Sequence, residues 1–425
     1  MNFIKTILIS LFIFNSSQIY SQNCQNTSTG RPPLLDLGTG HWHGYQGGLY
    51  PNGSNIRPAS HNNGGLMMAS QVRPLDTAGN YDPVNGSIVW LSIGMSNTTQ
   101  ETQQFIPLTD TFQNKNPKLI LVDGAQGGQH INIIIDSTAN FWNVIKQRLA
   151  QRGLTVKQVQ AVWFKEAEAG PMDTSFPNYA VTLKNKFRTV MNILKNKYYN
   201  VRLCYLSCRI YAGYATTGLN PEPYAYYCGW SVKWLIEDQI NGDTNLRYTG
   251  NNPRSPWLSW GPYIWADGVI PNLENLTWIC PDDFQSDGTH PSIAGRRKVA
   301  NKLFQFFTTD QTSIPWFLNN PTGINNSNSI PDEFVLFQNY PNPFNASSKI
   351  KIQISKLGIV NVTIYNPIGR EVETLVNMEL QPGTYELVWD AGNYASGVYF
   401  YRLVVSDKPN NGGSFVDTKK MVLIK

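Results

Sequence analysis

The sequence predicts an α/β domain, a three-layer, doubly wound parallel sheet of five strands, followed by a separate Ig-like β-sandwich. Three observations carry this. Between residues 87 and 310 short apolar runs alternate with helical patterns, the signature of parallel strands joined by crossover helices. Past a polar stretch at 311–332 the apolar residues recur with period two, separated by Gly and Pro turns, which reads as a sandwich over 333–425. A chain of 425 residues also exceeds what one ordinary core accommodates.

Taken in order, the chain opens with a targeting segment. Lys5 supplies a positive charge, residues 7–14 are a short apolar run and 16–22 are polar, so 1–21 reads as a secretory signal peptide too short to span a bilayer. Residues 23–86 are rich in Gly, Asn, Pro and aromatics with little periodicity, and are expected to be ordered loops. Strands are expected at 87–94, 118–123, 159–164, 201–206 and 276–280, and helices at 140–151, 179–197, 223–239 and 293–307. The period-two runs of the sandwich fall at 349–354, 360–365, 385–388, 398–405 and 420–424.

Composition narrows the function classes. Apolar residues make up 41%, charged residues only 15% and aromatics 12%, a balance that suits an extracellular protein. The net charge of +5 is small for the length and not gathered in runs, so nucleic acid is not an expected partner. No stretch reaches membrane-spanning length. Five cysteines (Cys24, Cys204, Cys208, Cys228 and Cys280) in an oxidising compartment permit disulfides, with at least one thiol left over. No histidine pairs with them at ligand spacing, so neither a metal site nor a cofactor is expected.

The chemistry concentrates in two short segments. In Asp287-Gly288-Thr289-His290-Pro291 an acid three residues before a histidine can reach its ring and hold the neutral tautomer, leaving one nitrogen free as a general base. Upstream, an apolar run ends in Gly94-Met95-Ser96-Asn97, which places a serine at the carboxyl end of a strand, where ligands bind in such sheets. By itself Ser96 could equally cap a helix. Asp267, in Trp265-Ala266-Asp267-Gly268, is a rival carboxylate without a local histidine.

Serine early and Asp-x-x-His late in an α/β pattern resembles the SGNH (GDSL-like) hydrolase superfamily. The resemblance implies a flavodoxin-like sheet, Ser96 as nucleophile, His290 as base and Asp287 as its orienting acid. It also implies an oxyanion-hole glycine after the second strand, here Gly128, with Gly127 and Gly124 as alternatives. The third block of the superfamily supplies an asparagine that this chain lacks. Its segment Trp163-Phe164-Lys165-Glu166-Ala167-Glu168 is similar to the Trp-x-Gln-Gly-Glu of sialate and acetylxylan esterase relatives, with Lys165 at the glutamine position. Two readings of Lys165 stay open: a third oxyanion donor, or part of an ion-pair network with Glu166 and Glu168. Asn97, Trp163, Glu166 and Glu168 are expected around the site as substrate or supporting contacts. Aromatics at 224–230 and 257–265 either line a cleft for sugar rings or pack the long irregular segments.

The tail resembles the C-terminal sorting domain of type IX secretion cargo, through Phe337-Gln338-Asn339-Tyr340-Pro341-Asn342-Pro343-Phe344-Asn345, Gly383-Thr384-Tyr385, Trp389-Asp390, Ser396-Gly397-Val398-Tyr399 and Lys419-Lys420-Met421. It implies export across both membranes by the type IX machinery, to the medium or the cell surface. Together the two resemblances imply a secreted serine esterase acting on an acylated, in the first place acetylated, polysaccharide, glycan or small ester. The competing expectations are a surface-displayed glycan-binding protein on the same fold and a glycan O-acyltransferase.

Overall fold

The computed structural model describes residues 23–319, 331, 333–356, 358–380, 383–406 and 415–425. The expected signal peptide and most of the expected linker lie outside the described residues.

A five-stranded, all-parallel sheet forms the body: β1 (Ile88–Gly94), β2 (Leu119–Asp123), β3 (Val159–Lys165), β4 (Leu203–Leu206) and β5 (Trp257–Trp260). Their spatial order is β2-β1-β3-β4-β5, a doubly wound arrangement whose switch point lies between β1 and β3. All seven residues of β1 and all seven of β3 are buried, as strands covered by helices on both faces must be.

The helices include α1 (Ala59–Ser70), α2 (Ser96–Asp110), α3 (Asn140–Ala150), α4 (Asn178–Lys197), α5 (Tyr224–Ile240), α6 (Ile293–Thr309) and a short α7 (Ile314–Phe317). α6 starts where it does because Ser292 caps it, its hydroxyl accepting from the amides of Ala294 (3.1 Å) and Gly295 (3.3 Å).

The structure departs from the sequence reading in several places. The fifth strand is Trp257–Trp260, not 276–280. The latter runs irregularly, its Trp278 amide bonded to Gly268 O (2.7 Å) and its Cys280 disulfide-bonded to Cys24. α2 went unpredicted because Ser-Asn-Thr-Thr-Gln-Glu-Thr offers no apolar stripe; tertiary burial of Glu101, Thr102 and Phe105 holds it instead. α1 lies inside the stretch expected to be loops. Residues 311–319, expected as polar linker, bury Trp316 and Phe317 of α7 in the main core.

The other cysteines, Cys204, Cys208 and Cys228, are buried free thiols.

The C-terminal part stacks two antiparallel sheets. Its strands are β6 (Val335–Leu336), β7 (Ser347–Ile354), β8 (Gly358–Tyr365), β9 (Glu371–Leu380), β10 (Gly383–Asp390), β11 (Gly397–Ser406) and β12 (Phe415–Leu423). One sheet runs β9-β8-β11-β12 and the other β10-β7-β6. Alternate residues such as Ile350, Ile352 and Ile354 fill the space between them. β9 escaped the period-two reading because register shifts against β8 put the consecutive Leu375 and Val376 both inside.

Candidate active site

β1 has to end at a glycine. A Cβ at Gly94 would lie 2.1 Å from Lys165 O and 2.3 Å from Thr98 Oγ1, so only glycine lets α2 begin tight against the end of β3. Ser96 is the first residue of α2, and its hydroxyl caps nothing. Its Oγ lies 2.8 Å from His290 Nε2, bridging 194 positions of sequence. The other ring nitrogen, Nδ1, is 2.5 Å from Asp287 Oδ2. With Nδ1 donating to the carboxylate, Nε2 is left to accept the serine proton.

The loop bearing His290 is fixed by its own backbone. Asp287 Oδ1 accepts from the amides of Thr289 and His290, both at 3.0 Å. Burial works against charge on Asp287, but the His290 ring and these two amides outweigh it and hold the carboxyl down at about 2. Gly288 has φ +62°, and a Cβ there would stand 1.9 Å from Tyr214 O, so the tight turn requires glycine. Asn97 is buried, and its Nδ2 donates to Thr289 O (3.1 Å). It braces the loop against α2 and does not face open space.

Around this trio the expected residues divide. Gly128 sits at φ +73° in a turn closed by the Gln129 amide on Gln126 O (3.3 Å), and the Gln126 amide bonds Gly94 O (3.0 Å). That bond ties the loop after β2 to the end of β1. Among the described residues no group engages the amide of Ser96 or of Gly128. Gly124 has a packing role: a Cβ there would meet Ser92 O at 2.5 Å.

Lys165 is not available as a donor. Its ammonium lies 2.5 and 2.6 Å from the two carboxylate oxygens of Glu101 on α2, and both side chains are 0% exposed. Burial pushes the Glu101 carboxyl up and the Lys165 amine down, and each is pulled back by the other's charge. The expected network of Lys165 with Glu166 and Glu168 does not form. Glu168 pairs with Lys186 and accepts from Asn132 (3.0 Å). Glu166 accepts the Ala167 amide (2.8 Å), has no partner at Oε2 among the described residues, and burial drives its carboxyl well above the usual range.

Trp163 is a core residue, with its indole N–H on Ser207 Oγ (3.1 Å) and its ring stacked on Trp90. Asp267 anchors the N-terminal segment, accepting from Ser28, Thr29 and Gly30. Trp257, Trp260, Tyr263 and Trp265 are buried in the core. The aromatic surface lies instead where Tyr45 packs on Phe176 (5.4 Å between ring centres) beside Trp42 and Trp234.

Sequence reasoning missed Glu101, whose only signal was a charge five residues past the serine in an otherwise neutral stretch. It also missed Arg209, three residues beyond β4, which is buried with its side-chain Nε unpartnered among the described residues. A lone arginine in an apolar context gives no pattern to read.

Comparison with known proteins bears on the tail. Residues 338–421 match the family model "Secretion system C-terminal sorting domain", so the chain carries a type IX sorting domain and is exported to the surface or the medium. Among the described residues no helix is long and apolar enough to cross a membrane. No curated protein matches the chain.

Among solved structures it is similar to dimeric latent PorU from Porphyromonas gingivalis, with 25% identity, 21% of this chain, 9% of that chain and a TM-score of 0.18. It is also similar to a protein from Arabidopsis thaliana (11% identity, 49% of this chain, 67% of that chain, TM-score 0.27). A third is a Bacteroides fragilis protein described as a candidate acylhydrolase (11% identity, 59% of this chain, 97% of that chain, TM-score 0.30). The chain thus spans less than a tenth of the PorU chain, and scores this low carry no argument about fold or activity.

Proposed function

We propose that the exported protein is a serine hydrolase of the SGNH (GDSL-like) type that cleaves O-acyl esters, acetyl in the first place, from a glycan or a small ester. The observation that carries the reading is the continuous relay Ser96 Oγ, His290, Asp287, with contacts of 2.8 and 2.5 Å. Three side chains from two distant segments meet in the order that nucleophilic acyl transfer needs.

The mechanism follows from the relay. Ser96 attacks the ester carbonyl as His290 Nε2 takes its proton, and Asp287 stabilises the imidazolium that results. The amides of Ser96 and Gly128 are the candidate donors to the oxyanion. Lys165, paired with Glu101, is left out of the oxyanion hole, so of the two readings its sequence left open the third-donor role is not part of this mechanism. His290 then protonates the leaving alcohol, and water repeats the sequence on the acyl-serine.

The test is turnover of p-nitrophenyl acetate and acetate release from acetylated xylan by wild type and Ser96→Ala. The reading expects activity in the first and a loss on the order of 10³-fold or more in the second. Equal rates in both proteins would remove Ser96 from the chemistry. Binding of glycan by both with turnover in neither would favour the surface binding protein.

A further inference from the structure

Independently of the chemistry at Ser96, the stretch 23–86 contains an element that joins the two parts of the chain. Helix α1 has two differently built sides. On one, Gly65 admits the Trp257 ring, which a Cβ would meet at 2.4 Å, and Gly64 admits the Tyr248 hydroxyl, which a Cβ would meet at 2.2 Å. His61 Nε2 bonds Leu258 O (2.7 Å) and Met68 and Ala69 enter the main core, so α1 is fixed to the α/β body.

On the other side stand Asn63 and Met67, four residues apart and therefore one above the other. β10 is an edge strand of its sheet, and its outward backbone groups at Val388 would otherwise be open to a further strand. Asn63 fills that place: its Oδ1 accepts from Val388 N (3.1 Å) and its Nδ2 donates to Val388 O (3.1 Å). One turn on, Met67 is buried inside the apolar core of the sandwich, the single member of that core contributed from the N-terminal side among the described residues.

We propose that α1 is a latch for the sorting domain, gripping the free edge of β10 with Asn63 and anchoring in the sandwich core with Met67. The partner this surface fits is the chain's own sorting domain, held as one unit with the body. Severing the connection between them does not by itself set the domain free, and the β10 edge cannot accept another strand while Asn63 occupies it.

The experiment is to place a protease site in the full chain between residues 320 and 330, cut it, and run gel filtration. The two pieces are expected to elute together, Asn63→Ala combined with Met67→Asp to separate them, and Met67→Leu to keep them together. Pieces of the otherwise unaltered protein that elute apart overturn the proposal. Hydrogen exchange on the uncut chain covers a variant that folds poorly. Asn63→Ala alone should speed exchange of the Val388 amide about fivefold or more, the loss of roughly one hydrogen bond. An unchanged rate also overturns it.

Discussion

Replacing Lys165 by methionine tests the buried ion pair most directly. The substitution keeps the volume and removes the charge, leaving Glu101 in a site where neither side chain is exposed and where its two oxygens had a cation at 2.5 and 2.6 Å. Breaking one partner of a buried pair costs about 3–5 kcal/mol, because an uncompensated charge remains. At roughly 2–4 °C per kcal/mol for a domain of this size, the melting temperature should fall by about 6–20 °C. Removing both charges, as Lys165→Met with Glu101→Leu, should recover most of that loss, since a well-packed apolar pair often matches a buried ion pair.

The pH dependence fixes the sign. In the single variant the folded Glu101 carboxyl lies above its unfolded value, so the native state holds the proton more tightly. The penalty is then largest at high pH, shrinks as pH falls through the raised folded value and is gone below about 4, the unfolded range of glutamate. Thermal and urea melts of the wild type, the single variants Lys165→Met and Glu101→Leu, and the double variant at two pH values measure it. A single-variant cost under about 1 kcal/mol, or a double variant as unstable as the two singles summed, would refute the reasoning.

Three further outcomes are expected. Asp287→Asn should lower kcat on the order of 10³–10⁴-fold with the fold intact, as loss of the correct imidazole tautomer does. Because the folded Asp287 carboxyl is held at about 2, below its ordinary value of 3.8, its contribution to stability should be complete above pH 4 and lost as pH falls through about 2; acid melts of both proteins show this as a closing gap. Glu166→Gln should change stability by less than about 1 kcal/mol by urea titration, because burial favours the neutral form of that carboxyl, which glutamine imitates. Gly288→Ala should cost about 1–3 kcal/mol and lower kcat with it, since it combines a left-handed backbone (φ +62°) with a Cβ 1.9 Å from Tyr214 O in the loop that aims His290.

How much was legible follows the reach of local signals. Four of the five parallel strands could be read because a doubly covered strand is a continuous apolar run, as 88–94 and 159–165 are. The fifth was misplaced: 276–280 is as apolar as Trp257–Trp260, and only packing decides which of them joins β4. Ser96, Asp287 and His290 stood out through residue type and order, because an acid and a histidine three apart must share a loop. The glycines at 94 and 288 were visible as residues but not as necessities, since what a Cβ would strike comes from Lys165 and Tyr214, far away in sequence.

The sequence by itself determined the alternation of strands and helices, the export tail, and which serine, acid and histidine could work together. Only the tertiary structure decided their meeting at 2.8 Å, the capture of Lys165 by Glu101 and the seating of the sandwich on Asn63 and Met67. The physical reason is range. Periodicity and short motifs report on neighbours along the chain. An ion pair buried between a helix and a strand, or an amide closing a sheet edge, depends on which surfaces the completed core brings together.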